Sequence, residues 1–287
     1  MTSGRVAVVI ITRDRASELR RTLTRLERLP ERPSVVVVDQ GSRDGTAAMV
    51  QRRFPAVRLI RLDGDRGAAG RTVGAAAVDV PYVAFCDDDS WWQPGALARA
   101  ERLLDQHPSL ALVAGRVLLG SEQRLDEACA EMAASPLGRG PELPGPRVLG
   151  FIACGAIVRR EAFLSVGGFS SRLGIGGEEQ LLATDLAAAG WQLVYRDDVV
   201  AHHHPSPRRD RERRRAQGVR NRLWFAWLRR QRRAALRITL AAAAAAVRDR
   251  RARAGALRAL KGGGWAIAGR RPVPDWLERD LRRLEAR

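Results

Sequence analysis

The sequence predicts an α/β fold: a mostly parallel central sheet with helices on both faces, followed by a helical, arginine-rich C-terminal extension. Three observations lead there. Between Arg5 and Cys86, short β-branched runs alternate with amphipathic helical stretches, an order that requires crossover connections and hence a parallel sheet. The runs Val35 to Val38 and Val83 to Cys86 are apolar without alternation, as strands covered on both faces must be. Finally, the net charge of +18 is confined to one end. Residues 205–287 hold 25 basic and 7 acidic residues, whereas residues 1–204 hold 25 of each. The division expected is therefore a catalytic-sized domain over 1–204, with halves meeting near residue 120, and an extension over 205–287.

Each element follows in turn. Arg5 to Ile11 reads as a buried strand, and Ser17 to Leu29 as a helix with Leu19, Leu23, Leu26 and Leu29 on one face. Pro30 and Pro33 end that helix. Val35 to Val38 is a second strand, closed by Asp39 and the turn Gly41-Ser42-Arg43-Asp44-Gly45-Thr46, from which a helix runs to Phe54. Val57 to Leu62 is a third strand, Ala68 to Val78 a helix, and Val83 to Cys86 a fourth strand. A helix from Gly95 to Leu104 and a strand from Ala111 to Leu119 come next. Leu125 to Gly145, rich in glycine, proline and polar residues, reads as an irregular insertion. Phe151 to Val158 is strand-like and Arg160 to Val166 a short helix. Gln180 to Ala189 is a helix closed by Gly190, and Gln192 to Tyr195 the last strand. Beyond Pro207 the chain reads as helical, broken at Gly262-Gly263-Gly264.

In open parallel sheets ligands bind beyond the carboxyl ends of the strands. Thr12, Arg13, Asp39 and the triplet Asp87-Asp88-Asp89 all fall there. Two carboxylates about 4 Å apart repel by roughly 4 kcal/mol at an effective dielectric near 20, so three together call for a cation. On an extended chain Asp87 and Asp89 share a side, giving hard oxygen ligands suited to Mg2+ or Mn2+. Arg66 and Arg71, beside Gly67 and Gly70, suit a diphosphate. Glu178-Glu179 follows a glycine-rich stretch at a helix start and supplies candidates for a general base. His202 and His204, spaced i, i+2, share a face and are candidate metal ligands ahead of His203. Of Trp91 and Trp92, one is expected in the core and the other against an acceptor.

These segments resemble the family-2 glycosyltransferases, which have the GT-A nucleotide-sugar fold, over about residues 5–204. The resemblance is carried by VAVVIITRDRASELRRTL, VVVVDQGSRDGT, DRGAAGRTVGAA, VAFCDDDSWWQPGAL and VGGFSSRLGIGGEEQLLATDLAAAGW. It implies that Asp39 contacts the nucleobase, that Thr12 and Arg13 line the nucleotide pocket, and that Asp88 holds sugar or ribose. Asp89 would bind the metal on the diphosphate, with His204 or His202 as a late ligand, and Asp87 would support Asp88, Asp89 or both. Glu179, the second acid of the family's Glu-Asp pair, would be the base. The reaction implied is inverting, metal-dependent transfer of a sugar from a nucleotide-diphosphate sugar to a hydroxyl. Gln40, Thr72 and Ala156 stand where the family often has asparagine.

A nucleotidyltransferase could share this fold and acidic site. Nucleic-acid binding through the tail is the other reading of its arginines, but the neutral first 204 residues and the lack of a nucleic-acid motif argue that no nucleic acid is bound. Leu223, Trp224, Trp227 and Leu228 among arginines instead suggest peripheral contact with an anionic membrane, where a glycan or lipid-linked acceptor would lie, or packing of the tail on the domain. Three cysteines without a CxxC spacing fit a reduced, cytoplasmic setting. No apolar run is long enough to span a bilayer, and no secretory signal is expected.

Overall fold

The computed structural model describes residues 4–205 and 211–286, with side chains of 211–215 excepted. The nucleotide-side half runs β1 (Val6–Thr12), α1 (Ala16–Leu26), β2 (Ser34–Asp39), α2 (Thr46–Arg53), β3 (Arg58–Arg61), α3 (Ala69–Ala76) and β4 (Tyr82–Asp87). These four strands pair in parallel in the order β3-β2-β1-β4. Then come β5 (Ser90–Trp92), α4 (Ala96–Gln106), β6 (Leu110–Leu119), β7 (Arg124–Leu125) and α5 (Glu127–Ala133). A 3₁₀ turn (Ala153–Gly155), β8 (Ala156–Arg159), α6 (Arg160–Ser165), α7 (Glu178–Ala188) and β9 (Gln192–His203) complete the sheet. The full order is β3-β2-β1-β4-β8-β6-β9-β5, with β7 on β6. It is a mixed sheet in which β6 and β9 continue the common direction while β8, β5 and β7 run against it.

Alternation along β1 shows how the layers are built. Val8 and Ile10 pack with Leu19, Leu23, Val50 and Leu97 on one face. Val9 and Ile11 face the opposite way, into the cluster that holds Ala75, Phe85 and Phe163. Period-two side chains thus place α1, α2 and α4 on one side of the sheet and α3, α6 and α7 on the other. The strand order reverses between β1 and β4, the crevice where open α/β sheets bind ligands.

Four local expectations change. The stretch 125–145 contains α5, started by Asp126, whose side chain accepts from the Ala128 amide. Residues 151–155 are not strand: the 3₁₀ turn occupies Ala153–Gly155 and pairing begins at Ala156. The last strand does not stop at Tyr195 but bulges and runs to His203, because β6 supplies partners along its whole length. Ser90–Trp92 forms a short strand against that end, which buries Trp92 and leaves Trp91 half-buried.

The tail folds as α8 (Arg211–Arg229), α9 (Arg232–Arg248), α10 (Arg250–Lys261), α11 (Gly263–Ala268) and α12 (Asp275–Glu285). Leu223, Trp224 and Leu228 are buried in the same cluster as Leu182 and Leu186 of α7, and Trp227 donates to Thr239 Oγ1 at 3.0 Å. These four residues pack the tail onto the sheet domain, so they are not a membrane-facing group. Arg229 pairs with Asp185, and Arg147 with Asp280 at 2.8 Å. Arg230 is fully buried and paired with the equally buried Glu278 at 2.9 Å. Removing one partner of such a pair strands a charge, at a cost of about 3–5 kcal/mol.

Candidate active site

A cleft of about 770 Å³ opens at the carboxyl ends of β1 and β4. Its wall carries Thr12, Arg13, Arg66, Arg71, all three aspartates, and Glu178 and Glu179. Nine of the residues expected from sequence therefore converge on one cavity. Asp39 stands behind this wall: it is fully buried, accepts from the Ser42 amide at 3.0 Å and lies 3.5 Å from Arg61. Gln40 takes the place on the surface.

The aspartates end β4 and turn into β5, which Ser90 Oγ fixes by accepting from the Asp87 amide at 2.7 Å. Two arginines then share the three carboxylates. Arg71, buried on α3, pairs with Asp87. Arg15, at the start of α1, places Nε 2.8 Å from Asp88 Oδ1 and donates from Nη2 to Asp89 Oδ2 at 2.7 Å. Thr12 Oγ1 donates to the other Asp88 oxygen at 2.9 Å. Burial lifts the Asp88 carboxyl to about 7 against the pull of Arg15, so the cluster resists carrying its full negative charge.

His203 Nε2 lies 3.2 Å from Asp89 Oδ1, and His203 lines the cleft. His202 and His204 do not line it. They turn to the other side of β9, where Trp91 stacks on His202 at 5.5 Å and lies 4.7 Å from His204. The i, i+2 pair shares a face as expected, but strand alternation points that face away from the cleft. The two tryptophans leave the acceptor reading as well: Trp92 is core, and Trp91 lies beneath Arg25, 3.8 Å from its ring centre, beside a smaller cavity. An Asp89 oxygen beside a His203 nitrogen is a hard–borderline donor set that fits Mn2+ and, less closely, Mg2+. Asp87, Cys154 and His203 also bring ligand atoms within 4.8 Å of one another. The Cys154 thiol, however, is pushed well above its ordinary range by burial.

Glu178 and Glu179 form the first turn of α7, which Gly177 opens in the left-handed conformation at φ 88°. Glu178 is buried, and among the described residues its Oε2 has no hydrogen-bond partner. Burial, then the charge of Glu179, pushes Glu178 up to about 8. Glu179 is half-buried, and its carboxyl is also raised by burial while Arg71 draws it down. Two such neighbours titrate as a pair, the charge of one raising the other.

The loop before α7 is held from two sides. Across the cleft floor, the Ala68 amide donates to Gly174 O at 3.2 Å, and a Cβ on Gly67 would meet Gly174 Cα at 2.8 Å. From the tail, α8 binds three of the loop's carbonyls. Gln217 donates to Leu173 and, at 2.7 Å, to Ile175; Arg220 donates to Leu173 at 2.7 Å; Asn221 donates to Leu173 at 3.0 Å and to Gly176. The extension thus fixes the turn that presents both glutamates.

Residues 7–167 match the family described as glycosyl transferase family 2. The chain belongs to that family. It has the GT-A architecture of its solved neighbours. The mannosyltransferase PcManGT from Pyrobaculum calidifontis, solved with GDP-Man and Mn2+, superposes with a TM-score of 0.62 at 21% identity, covering 98% of this chain and 75% of that one. The 1–349 portion of S. aureus TarS, solved with UDP-GlcNAc, gives 0.61 at 16% identity, covering 77% of this chain and 65% of that one. Among curated proteins, the pre-mycofactocin glycosyltransferase of Mycobacterium tuberculosis is 34% identical over 218 residues, 71% of this chain. The enzyme spans only 44% of that relative's length. The N-acetylglucosaminyl-diphospho-decaprenol L-rhamnosyltransferase of the same organism is 29% identical, covering 69% of this chain and 75% of the relative.

Proposed function

We propose that this glycosyltransferase moves a sugar from a nucleotide-diphosphate sugar to a hydroxyl acceptor with inversion, assisted by Mn2+ or Mg2+. One observation carries the reading: the Glu178–Glu179 pair and the three aspartates line the same cleft, with Arg71 between them in charge. Arg71 is buried, pairs with Asp87 and lowers both glutamates. Asp89, Asp87 and His203 would hold the ion, which supplies positive charge to the departing diphosphate. Asp88 and Thr12 orient the ribose or donor sugar, Arg13, Arg66 and Arg71 face the diphosphate, and Asp39 with Gln40 shapes the base end. Glu179 takes the proton from the acceptor hydroxyl as its oxygen bonds to the anomeric carbon. The bond to the diphosphate breaks in line, releasing nucleoside diphosphate. Glu178 keeps its proton and remains neutral beside the base.

Incubation with a panel of nucleotide sugars is expected to release nucleoside diphosphate only with Mn2+ or Mg2+, and chelation to stop it. Release of pyrophosphate instead would make the enzyme a nucleotidyltransferase.

The acceptor of this reading is a cell-envelope glycan, a glycolipid or a small metabolite, reached from the cytoplasmic face of the membrane. Among the described residues no helix is long and apolar enough to cross a membrane. Surface contact would fall on Leu236, Leu240 and Val247 of α9, Leu257 and Leu260 of α10, and Ile267 of α11. All are exposed, and lie among arginines. Flotation with phosphatidylglycerol vesicles should carry the enzyme, and Leu240→Glu with Leu260→Glu should abolish it. An enzyme that never floats removes the membrane from the proposal.

A further inference from the structure

The cleft holds more positive charge than the donor site uses. Arg172, on the loop before α7, and Arg220, on α8, both line it, and neither is among the residues that crowd the aspartates. Among the described residues neither guanidinium pairs with a carboxylate. Arg220 donates only to neutral oxygens, Asn221 Oδ1 at 2.9 Å and the Leu173 carbonyl at 2.7 Å. It is also partly buried and near the like charge of Arg258, both of which work against its own charge. A desolvated cation without a counter-ion is unfavourable unless an anion arrives to share it.

The two guanidiniums are also held in place. Arg220 lies over the Trp224 ring at 4.4 Å and Arg172 over Trp265 at 5.6 Å. Those two rings pack edge to face with centroids 5.3 Å apart, and Trp224 Nε1 donates to the Ala259 carbonyl at 2.9 Å. Cation–π shelves of this kind fix the plane of an arginine, and Arg220, with Nε and Nη2 on neutral oxygens, has Nη1 without a hydrogen bond among the described residues. The pair therefore stands as two separately supported forks beside the loop that ends at Glu178.

We propose that Arg172 and Arg220 form an anion subsite on the acceptor side, so that the hydroxyl to be glycosylated belongs to a phosphate or diphosphate ester. This rests on the sugar-transfer reading above. Oxygens of a phosphate group answer two guanidinium forks, and Gln217 at the same wall adds a neutral amide. Arg172 and Arg220 bind and orient the acceptor; they take no part in the proton transfer.

The test uses the full chain with Mn2+ and a saturating nucleoside diphosphate, so that the donor side is filled, and then titrates n-decyl phosphate or glucose 6-phosphate by calorimetry. Wild type is expected to bind at least one, with affinity that falls as salt rises. Preference for decyl phosphate indicates a lipid-linked ester; preference for glucose 6-phosphate indicates a soluble one. Arg172→Ala, whose side chain makes no hydrogen bond among the described residues, should lose at least tenfold in phosphate affinity, as should Arg220→Lys. Nucleoside diphosphate binding serves as the control. Phosphate binding unchanged in both variants, or absent in wild type with the nucleotide bound, overturns the subsite. Weakened nucleotide binding in the variants assigns the pair to the donor and overturns it too. Failure of wild type to bind any nucleoside diphosphate strikes instead at the sugar-transfer reading.

Discussion

Glu179→Gln is expected to lower kcat by about 10²–10⁴-fold, the span for loss of a positioned general base, while Glu178→Gln stays near wild type at pH 7. Neighbouring sequence positions would not suggest so large a difference, but their environments do. Glu178 is sealed, with one oxygen that finds no donor among the described residues, and its carboxyl is raised above neutrality by burial and by its neighbour's charge. A neutral amide is therefore close to the state Glu178 already occupies. Glu179, half-buried at the cleft wall, is also raised by burial, but its side-chain contact with Glu178 lowers it while raising Glu178, so it is the carboxylate of the two that ionises and accepts a proton. The sign of the pH dependence follows. A base with a raised pKa is protonated and idle at low pH, so kcat/KM climbs as pH rises through that pKa. Above it, wild type meets a second inflection near pH 8 as Glu178 ionises and puts a second negative charge beside the diphosphate. Glu178→Gln lacks a group to ionise there, so its profile should be flat through that range. A second inflection retained in Glu178→Gln would remove Glu178 as its source, and full turnover in Glu179→Gln would remove that residue as the base. Initial-rate profiles from pH 5 to 9 with nucleoside diphosphate release as readout decide both.

The strand–helix alternation and the strand-end residues were legible because both follow from local pattern. Val6 to Ile11 and Val35 to Val38 can only be buried strands, and a parallel sheet delivers Thr12 and the aspartates to one edge. What lay beyond reach depended on contacts distant in sequence. Arg15 joins Asp88 and Asp89 across more than seventy positions, and nothing within Thr12-Arg13-Asp14-Arg15 distinguishes it from Arg13. Gln217, Arg220 and Asn221 sit in a tail whose arginine-rich composition hides individual roles. Their partners are backbone carbonyls of the 173–176 loop, and carbonyls carry no sequence signal. His203 is different, since its face could have been inferred. Val199 and Ala201 are apolar and fully buried, and period two carries their face to His203 rather than to its neighbours.

That alternation sets the second large effect. Asp89→Asn is expected to cost about 10²–10³-fold in kcat, comparable with removing one fixed stabiliser of transition-state charge. His203→Ala should weaken Mn2+ by at least about 10–100-fold, whereas His202→Ala and His204→Ala should titrate with Mn2+ as wild type does. Asp89 Oδ1 and His203 Nε2 are 3.2 Å apart and both reach the cleft, so one ion can bind the two together. His202 and His204 instead pack on Trp91, on the far side of the same strand. Losing either removes aromatic contact and leaves the donor set intact. The measurement is an Mn2+ titration of activity, paired with direct Mn2+ binding by electron paramagnetic resonance in the presence of nucleoside diphosphate. The paired readout separates lost binding from lost catalysis. An Asp89→Asn enzyme that binds Mn2+ normally yet turns over slowly would place that carboxylate on the sugar rather than the ion. Weakened Mn2+ binding in His204→Ala with none in His203→Ala would mean that β9 rotates when the cleft is loaded. That end of the strand is held by β6 on one side and by the short β5 pairing on the other, with the Gly120 amide on the His203 carbonyl at 2.9 Å and the His204 amide on the Asp89 carbonyl at 2.8 Å, so such a rotation would have to break all of them.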